Sequence, residues 1–294
     1  MNSSTTRLAR QSAPCDGRAG GSGGAGETLR PPTNRVFLED CLEGMRRRLP
    51  DGCVDVIVTS PPYNIGVRYH KYVDKLAFDE YRDWLTEVMR ECARVLSPEG
   101  SIFLNLGQRP SDGLRVFEVV RPLLEFLKLQ NTIHWIKSVA APEFGLNVGH
   151  YRPVQSRRYL HNAHEYIFHL TKTGAVPLDI LGNGCVYADK SNIGRYAKED
   201  RRSRGNTWYI PYGTVTSAKP HPASFPDLLP EWCIRLHGLH KTGLVLDPFM
   251  GVGSTAVAAK RLGVAYVGFE VDPAYLEEAL RRLERTPGPH GAPA

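Results

Sequence analysis

The chain has 294 residues, with 37 Lys and Arg against 31 Asp and Glu and a formal charge of +6, which suits one α/β domain with an insertion and an acidic partner. No apolar run approaches the ~20 residues of a membrane span. The six cysteines are scattered without a Cys-x-x-Cys pair, which excludes a zinc ribbon or disulfide framework and favours a reducing cytoplasm.

Residues 1–33 are rich in Gly, Ser, Ala and Arg, centred on Gly20-Gly21-Ser22-Gly23-Gly24-Ala25-Gly26, and read as a disordered tail. The tail lacks the apolar stretch of a secretory signal, while its scarcity of acids leaves a transit peptide open. Val36-Phe37-Leu38 is a short strand that runs into Glu39-Asp40-Cys41. Val54 to Val58 is a second strand, β-branched and followed at once by Thr59-Ser60-Pro61-Pro62-Tyr63. In an open parallel sheet, ligands collect at strand carboxyl ends. Two prolines fix φ and remove two N–H donors, which leaves carbonyls and the Ser60 hydroxyl as a stiff set of acceptors suited to an –NH2 group. Tyr63 offers a flat face for a base, a contact worth roughly 1–3 kcal/mol. The bare pentapeptide reads equally as a Pro-rich turn after a core strand.

Val67 to Ala77, with Arg68 and Lys71, is expected to form a mobile loop over that site. A helix starting from Asp79 as N-cap then carries Tyr81, Trp84, Leu85, Val88, Met89, Cys92 and Leu96 on one face, ending at Ser97-Pro98-Glu99-Gly100. Its aromatics are most simply core. Ser101–Leu106 is a strand, Leu114–Lys128 a helix with Pro122 as an awkward interior residue, Gln130–Lys137 a strand, and Glu165–Leu170 another. A basic cluster with Arg152, Arg157 and Arg158 separates the last two and suits phosphate contacts. His161, His164 and His169 lack the spacing of a metal helix and no carboxylate pattern supports them, so no metal is assigned.

Residues 172–220 show no clear period and hold Lys190, Arg195, Lys198, Arg201, Arg202 and Arg204 against few acids. Beyond them, Gly243–Leu246 is a strand, and Asp247-Pro248-Phe249-Met250-Gly251-Val252-Gly253-Ser254-Thr255 leads into a helix through Ala259. A strand, a Gly-rich turn and a helix amino end make a cradle whose N–H groups face a ligand. It is not a Walker loop, since no Gly-Lys-Ser/Thr follows. The next strand, Ala265–Phe269, ends in Glu270, about twenty residues on, where an acid can accept both hydroxyls of a ribose. Residues 286–294 read as a second unstructured tail.

Taken in order, these motifs resemble the amino-group DNA methyltransferases that use S-adenosylmethionine, in their β arrangement and of the restriction-modification type. There a Ser/Asp/Asn-Pro-Pro-Tyr/Phe motif precedes Asp-Pro-Phe-x-Gly-x-Gly-x-Thr; Asp247, Pro248, Phe249, Gly251, Gly253 and Thr255 all fall on the second pattern. The resemblance spans roughly Arg35 to Arg285. It implies an α/β fold, a doubly wound Rossmann-like sheet of seven strands with an inserted target-recognition region. The catalytic half would be 34–171, the recognition insertion 172–220 and the cofactor half 221–285. Asp40 and Cys41 look like the acidic position that takes the donor's adenine amino group. His221 to Pro226, with Ser224 and Phe225, looks like the segment over its methionine end, with Ser254 in the Gly-rich turn. The basic residues at 68, 71, 152, 157, 158, 190, 195, 198, 201, 202 and 204 become DNA contacts.

The implied reaction moves the methyl group of S-adenosylmethionine to an exocyclic nitrogen of a flipped-out base, leaving S-adenosylhomocysteine. An –NH2 conjugated with its ring is a poor nucleophile, so acceptors must hold its hydrogens while it attacks in line. Ser60 Oγ and the Pro61 carbonyl are the candidates. No Pro-Cys nucleophile of carbon-5 chemistry is seen. In relatives Ser-Pro-Pro-Tyr leans toward cytosine N4, which is favoured over adenine N6. RNA methylation and a catalytically silent DNA-binding protein are the competing classes. Double-stranded DNA at the nucleoid is the implied partner, with a cognate restriction endonuclease and a homodimer as further expectations; residues for a fused nuclease are lacking.

Overall fold

The computed structural model describes residues 30–67, 74–149, 155–195, 198–211 and 224–289. Ten strands and six α-helices follow in chain order: β1 (Arg35–Leu38), α1 (Cys41–Arg48), β2 (Val54–Thr59), α2 (Phe78–Val95), β3 (Leu96–Leu106), α3 (Arg115–Val120), β4 (Lys128–Ile136), β5 (Ser138–Ala141), β6 (Leu146–Gly149), β7 (His164–Thr171), β8 (Thr207–Tyr209), α4 (Leu228–His237), β9 (Leu244–Asp247), α5 (Ser254–Leu262), β10 (Ala265–Glu270) and α6 (Pro273–Arg285). Eight strands form one sheet in the order β1-β10-β9-β2-β3-β7-β4-β8, and β5 pairs with β6 as a separate hairpin.

The sheet is doubly wound because its strands are apolar on both faces, as a two-sided parallel sheet requires. In β2, Val54 and Ile57 pack among α1 and α2 residues such as Met45, Leu85 and Met89. Val56 and Val58 pack on the opposite face among α4 and α5 residues such as Leu229, Cys233 and Ala258. The same alternation divides Leu244 and Leu246 from Val245 in β9. Each fully buried aliphatic side chain contributes about 1.5–3 kcal/mol.

Four details depart from the sequence expectation. The sheet has eight strands where seven were expected, because Thr207-Trp208-Tyr209, too short to show a period, pairs parallel with β4. The helix expected over 114–128 stops at Val120 and tightens into a 3-10 turn over Arg121–Glu125 with Pro122 at its start, as a ring without an N–H demands. Helix α2 is capped at Ala77 without a side-chain bond, so Asp79 lies in its first turn. Ser97 to Gly100, read as the stop of that helix, already belongs to β3.

Direction is what positions the site. Strands β1, β10, β9, β2 and β3 run parallel, so the residues after each gather at one edge of the sheet. Strand β7 runs antiparallel between β3 and β4, so its beginning meets the ends of those two neighbours at the same edge. The central strand β2 has β9 on one side and β3 on the other, and ligand crevices form where strand order switches in this way.

His169 serves the fold. Asn131 Nδ2 lies 3.0 Å from His169 Nδ1, His169 Nε2 lies 3.0 Å from Ser101 Oγ, and Ser101 Oγ lies 2.9 Å from His237 Nδ1. With the amide donating to Nδ1, His169 donates to Ser101 and Ser101 donates to His237, a chain satisfied only while both rings are neutral. Burial pushes His169 down to about 3 and His237 down to about 4, whereas the unfolded rings protonate near ~6.5. The unfolded state therefore binds more protons between these values, and stability falls as pH drops below ~6.5. At pH ~5 each ring should cost on the order of 2 kcal/mol relative to neutral pH. Urea midpoints measured between pH 8 and 5 carry this loss, offset in part by buried carboxyls raised in the fold such as Asp247, and His169→Asn should lose part of the histidine slope; a variant that keeps the wild-type slope would contradict the network.

Candidate active site

At that edge lies one cleft with about 1110 Å³ of empty space, its open mouth included. Its walls hold Asp40 and Cys41 after β1, Ser60 to Tyr63 after β2, Trp84 from α2, Ser224 and Phe225, the turn from Pro248 to Val252 with Ser254, and Glu270 to Asp272 after β10. Residues that the sequence placed in two half-sites thus share one cavity. Asp247, Gly253 and Thr255 are not among the walls; they build the turn from behind.

Asp247 is fully buried at the end of β9. Its Oδ1 accepts from Thr59 Oγ1 at 2.8 Å and from the Phe249 amide at 3.0 Å, and its Oδ2 accepts from Thr255 Oγ1 at 2.7 Å. Loss of solvent pushes its carboxyl up to about 6, against these three donors, which pull it down. Gly253 has φ of 85° and caps α5 in the left-handed region, and an added Cβ would lie 2.9 Å from Ala279 Cβ. Only glycine closes the turn there without strain. Ser254 donates to the Phe225 carbonyl at 2.9 Å, which joins the turn to the segment before α4.

Two of the acids on these walls are those the sequence singled out, Glu270 and Asp40. Glu270, 8% exposed, accepts from the Gly251 amide on Oε2 at 2.7 Å and from the Asp272 amide on Oε1 at 2.8 Å. Beyond these two amides the carboxylate has further lone pairs with which to accept. Burial raises its carboxyl above the ordinary range. Asp40 caps α1, accepting from the Leu42 and Glu43 amides through Oδ1 alone at 2.9 and 3.2 Å. Glu39 beside it is committed to Arg47 and Arg48. Cys41 is a wall residue whose thiol burial pushes up to about 12, so it is no nucleophile. Trp84, read as core, stands 5.5 Å from the Phe249 ring and faces the cleft.

At the other end, Ser60 Oγ lies 2.7 Å from the Tyr63 hydroxyl. Sequence reasoning missed what lies behind them. The Tyr63 hydroxyl donates to Glu165 Oε2 at 3.0 Å, and Asn105 Nδ2 donates to both the Tyr63 oxygen and Glu165 Oε2 at 2.7 Å. Lys137 pairs with Glu165 Oε1. An added Cβ at Gly107 would meet Tyr63 Cε2 at 2.7 Å, so a bare backbone is what lets the phenol ring lie there.

Asp74, also unforeseen, ties down the segment after Tyr63. Its carboxylate accepts from four consecutive amides, Asn64, Ile65, Gly66 and Val67, at 2.7 to 3.0 Å. Asn64 exchanges two bonds of 2.8 Å with the backbone of Leu76. The loop expected over 67–77 is therefore anchored at both ends, and Arg68 and Lys71 lie outside the described residues.

The basic residues are dispersed. Arg157 and Arg158 are exposed, the latter 5.7 Å over the Tyr159 ring, and Arg195, Lys198, Arg201 and Arg202 are exposed as well. Lys190 pairs with Asp200. The Arg202 backbone bridges to Cys185, and Arg201 reaches the Gly182 carbonyl at 3.4 Å. Arg204 bonds the Asn183 carbonyl and stands 4.1 Å over the Trp232 ring, which makes it part of the fold. Arg152 lies outside the described residues, as do residues 221–223. No group of His, Cys, Asp or Glu suited to a metal ion occurs among the described residues, and no helix there is long and apolar enough to cross a membrane.

The cleft thus combines acids at the ends of the neighbouring strands β1 and β10, a Gly-rich turn after the next strand, β9, and a Pro-Pro motif after β2. The family model described as DNA methylase, of the N6 and N4 type, matches residues 54–281, and the chain belongs to that family. It is 30% identical to the type II methyltransferase M.Cfr9I of Citrobacter freundii over 85% of this chain and 87% of that protein. Against the type II methyltransferase M.BglII of Bacillus subtilis it is 29% identical over 86% of this chain and 70% of that protein. Among solved structures, the PvuII DNA methyltransferase (cytosine-N4-specific) superposes with a TM-score of 0.64 at 21% identity over 86% of both chains. M1.HpyAVI in complex with SAM does so at 0.53 and 22%, over 85% of this chain and 99% of that one. The fold and the family expected from the motifs are thus found.

The Asp74 anchor yields a stability prediction. Asp74→Ala leaves four amides without their anion, and hydrogen bonds to charged groups contribute roughly 1.5–3 kcal/mol each before water replaces part of the loss. A decrease of about 2–3 kcal/mol in urea unfolding is expected, and an unchanged midpoint would show that the anchor contributes nothing.

Proposed function

We propose that this chain transfers the methyl group of S-adenosylmethionine to the N4 amino group of a cytosine flipped out of duplex DNA. The observation that carries the reading is the single cleft in which Ser60 to Tyr63 meet Asp40, the Gly-rich turn and Glu270. The donor fits the residues present. Glu270 would take the ribose hydroxyls, Asp40 the adenine amino group through its outer oxygen, and Phe225, Phe249 and Pro248 the apolar flanks. When bound, S-adenosylmethionine supplies an electrophilic methyl on sulfur, and everything else falls to the chain.

The target nitrogen shares its lone pair with the ring, so its hydrogens need acceptors that favour pyramidal geometry. Ser60 Oγ and the Pro61 carbonyl stand at the end of β2 for that purpose, and the Tyr63 face supports the base. Alignment of nitrogen, methyl and sulfur is the main source of rate, a term that can reach ~7–11 kcal/mol in well-oriented reactions. The exposed cations of 157–202 face a polyanion as partner, and we assign residues 172–220 to target recognition. The relatives' designation as type II methyltransferases supports a restriction-modification setting, and the proposal extends to a cognate endonuclease and a place at the nucleoid.

The ground for preferring cytosine is the lean of Ser-Pro-Pro-Tyr toward cytosine N4 in relatives, with which a neutral Ser60 agrees. Adenine N6 is kept as the second reading because the chain is also 24% identical to the DNA adenine methyltransferase YhdJ of Escherichia coli (strain K12), over 81% of this chain and 79% of that protein. Incubation with unmethylated DNA and labelled donor, followed by digestion to nucleosides, should yield N4-methylcytosine. N6-methyladenine would overturn the base assignment, and labelled RNA in place of DNA would overturn the substrate class.

Ser60→Ala should lose 100-fold or more in turnover, the scale of about 10²–10³ seen when one preorganised polar partner of a reacting group is removed, while donor affinity stays unchanged. Full activity would sink the site assignment. Glu270→Ala should instead raise KM for S-adenosylmethionine. In the wild-type protein, donor affinity should weaken as pH falls through the raised value of Glu270, because only its ionised form accepts two hydroxyls; Glu270→Gln should remove that pH dependence.

A further inference from the structure

We infer that Glu165 is a positioning residue for methyl transfer, acting through Tyr63 to make Ser60 an acceptor; the inference rests on the amino-group reading above. Ser60 alone is ambiguous, since a hydroxyl can donate or accept. An amino group whose hydrogens must be held needs an oxygen with its lone pairs free.

The hydrogen-bond chain resolves the ambiguity from its far end. Glu165 is a carboxylate paired with Lys137, so it accepts only. The Tyr63 hydroxyl, 3.0 Å from Glu165 Oε2, must spend its one hydrogen there. Asn105 spends its two hydrogens on Glu165 Oε2 and on the Tyr63 oxygen, both at 2.7 Å, and stands farther from Ser60 Oγ, at 3.5 Å. A reversed Asn105 amide would put its oxygen against the carboxylate, so Glu165 fixes that orientation too. With the Tyr63 hydrogen spent on Glu165, the 2.7 Å contact between Ser60 Oγ and the Tyr63 oxygen needs its hydrogen from Ser60. Ser60 therefore donates inward to Tyr63 and keeps both lone pairs for the target.

The supporting geometry is rigid. Asn105 is 1% exposed at the end of β3; Glu165 and Lys137 have side chains 13% and 19% exposed. In the ladder Trp135 stands opposite Glu165, which sets Lys137 two residues further on, just past the end of β4. Glu165 is the second residue of β7, the strand that runs against its neighbours.

Glu165→Gln tests this because glutamine keeps the size and adds donors that can compete for the Tyr63 oxygen. In single-turnover methylation with saturating donor and DNA, Glu165→Gln should slow the chemical step by about 100-fold, the cost of a small misplacement in an aligned reaction, with Kd for donor and DNA unchanged. Tyr63→Phe should be slow as well, and the double variant should be no slower than the worse single variant, since both break one chain. A wild-type rate for Glu165→Gln, or multiplicative losses in the double variant, would overturn the proposal. A second readout needs no turnover: with 13C-labelled tyrosine, the Tyr63 Cζ resonance, assigned by its loss in Tyr63→Phe, should move in Glu165→Gln; a resonance that stays in place would also overturn it. If the wild-type protein methylates no DNA while the resonance moves, the hydrogen-bond direction stands and the amino-group reading is what fails, along with any role of Glu165 in transfer.

Discussion

One buried carboxylate holds the two halves of this molecule in register. Asp247 ends β9, yet its partners are Thr59, at the end of β2 and far away in sequence, and Thr255, in the first turn of α5. Burying a carboxylate is costly unless donors replace water, and the rise of its carboxyl to about 6 is the mark of that cost. The donors come from the strand that carries Ser60 and from the helix that follows the Gly-rich turn. A shift of either element by an ångström would strand the charge, so the Ser60 end of the cleft and its Gly-rich turn, the two proposed subsites, are held at a fixed separation. For a reaction whose rate comes from alignment of three atoms, that separation is the quantity the fold has to keep.

The sheet supplies the same constraint on a larger scale. Because β1, β10, β9 and β2 run parallel, Asp40, Glu270, the 247–255 turn and Ser60 follow one another along a single edge, although they are scattered from one end of the chain to the other. Helices cover both faces of the strands and leave that edge open to a ligand. The cleft is thus a consequence of strand direction before it is a consequence of any side chain.

The strand-turn-helix-strand unit over 244–270 was legible in the sequence because its signals are local. A short apolar run, a turn that demands glycine at Gly253, and an acid at the next strand end all lie within one strand-turn-helix-strand unit, and each has a backbone reason. The Pro-Pro motif was legible on the same ground. What could not be read were residues whose meaning depends on a partner far away. Asp74 looks like any loop acid until four amides of 64–67 are seen to converge on it. Thr207 to Tyr209 is too short for a period, and only the exposed edge of β4 makes it a strand. Arg204 reads as a surface cation by composition, whereas Trp232 and the Asn183 carbonyl make it part of the fold.

Glu165 shows the same limit most sharply. The rule that sites lie at carboxyl ends of strands directs attention away from the first residues of β7, and it is correct for a parallel strand. Reversal of β7 between β3 and β4 brings those first residues to the site edge instead. No local pattern in Glu165–Leu170 encodes that reversal, since an apolar strand buried on both faces reads alike in either direction. The antiparallel strand therefore does what a parallel one in its place would not: it delivers an acceptor-only group behind the phenol of Tyr63, beside Ser60 and Asn105, whose side chains can both donate and accept. A carboxylate there, neutralised by Lys137 and shielded from water, gives direction to hydroxyls that have none of their own, and that direction is what separates an acceptor for an amino group from a hydroxyl that merely fills space.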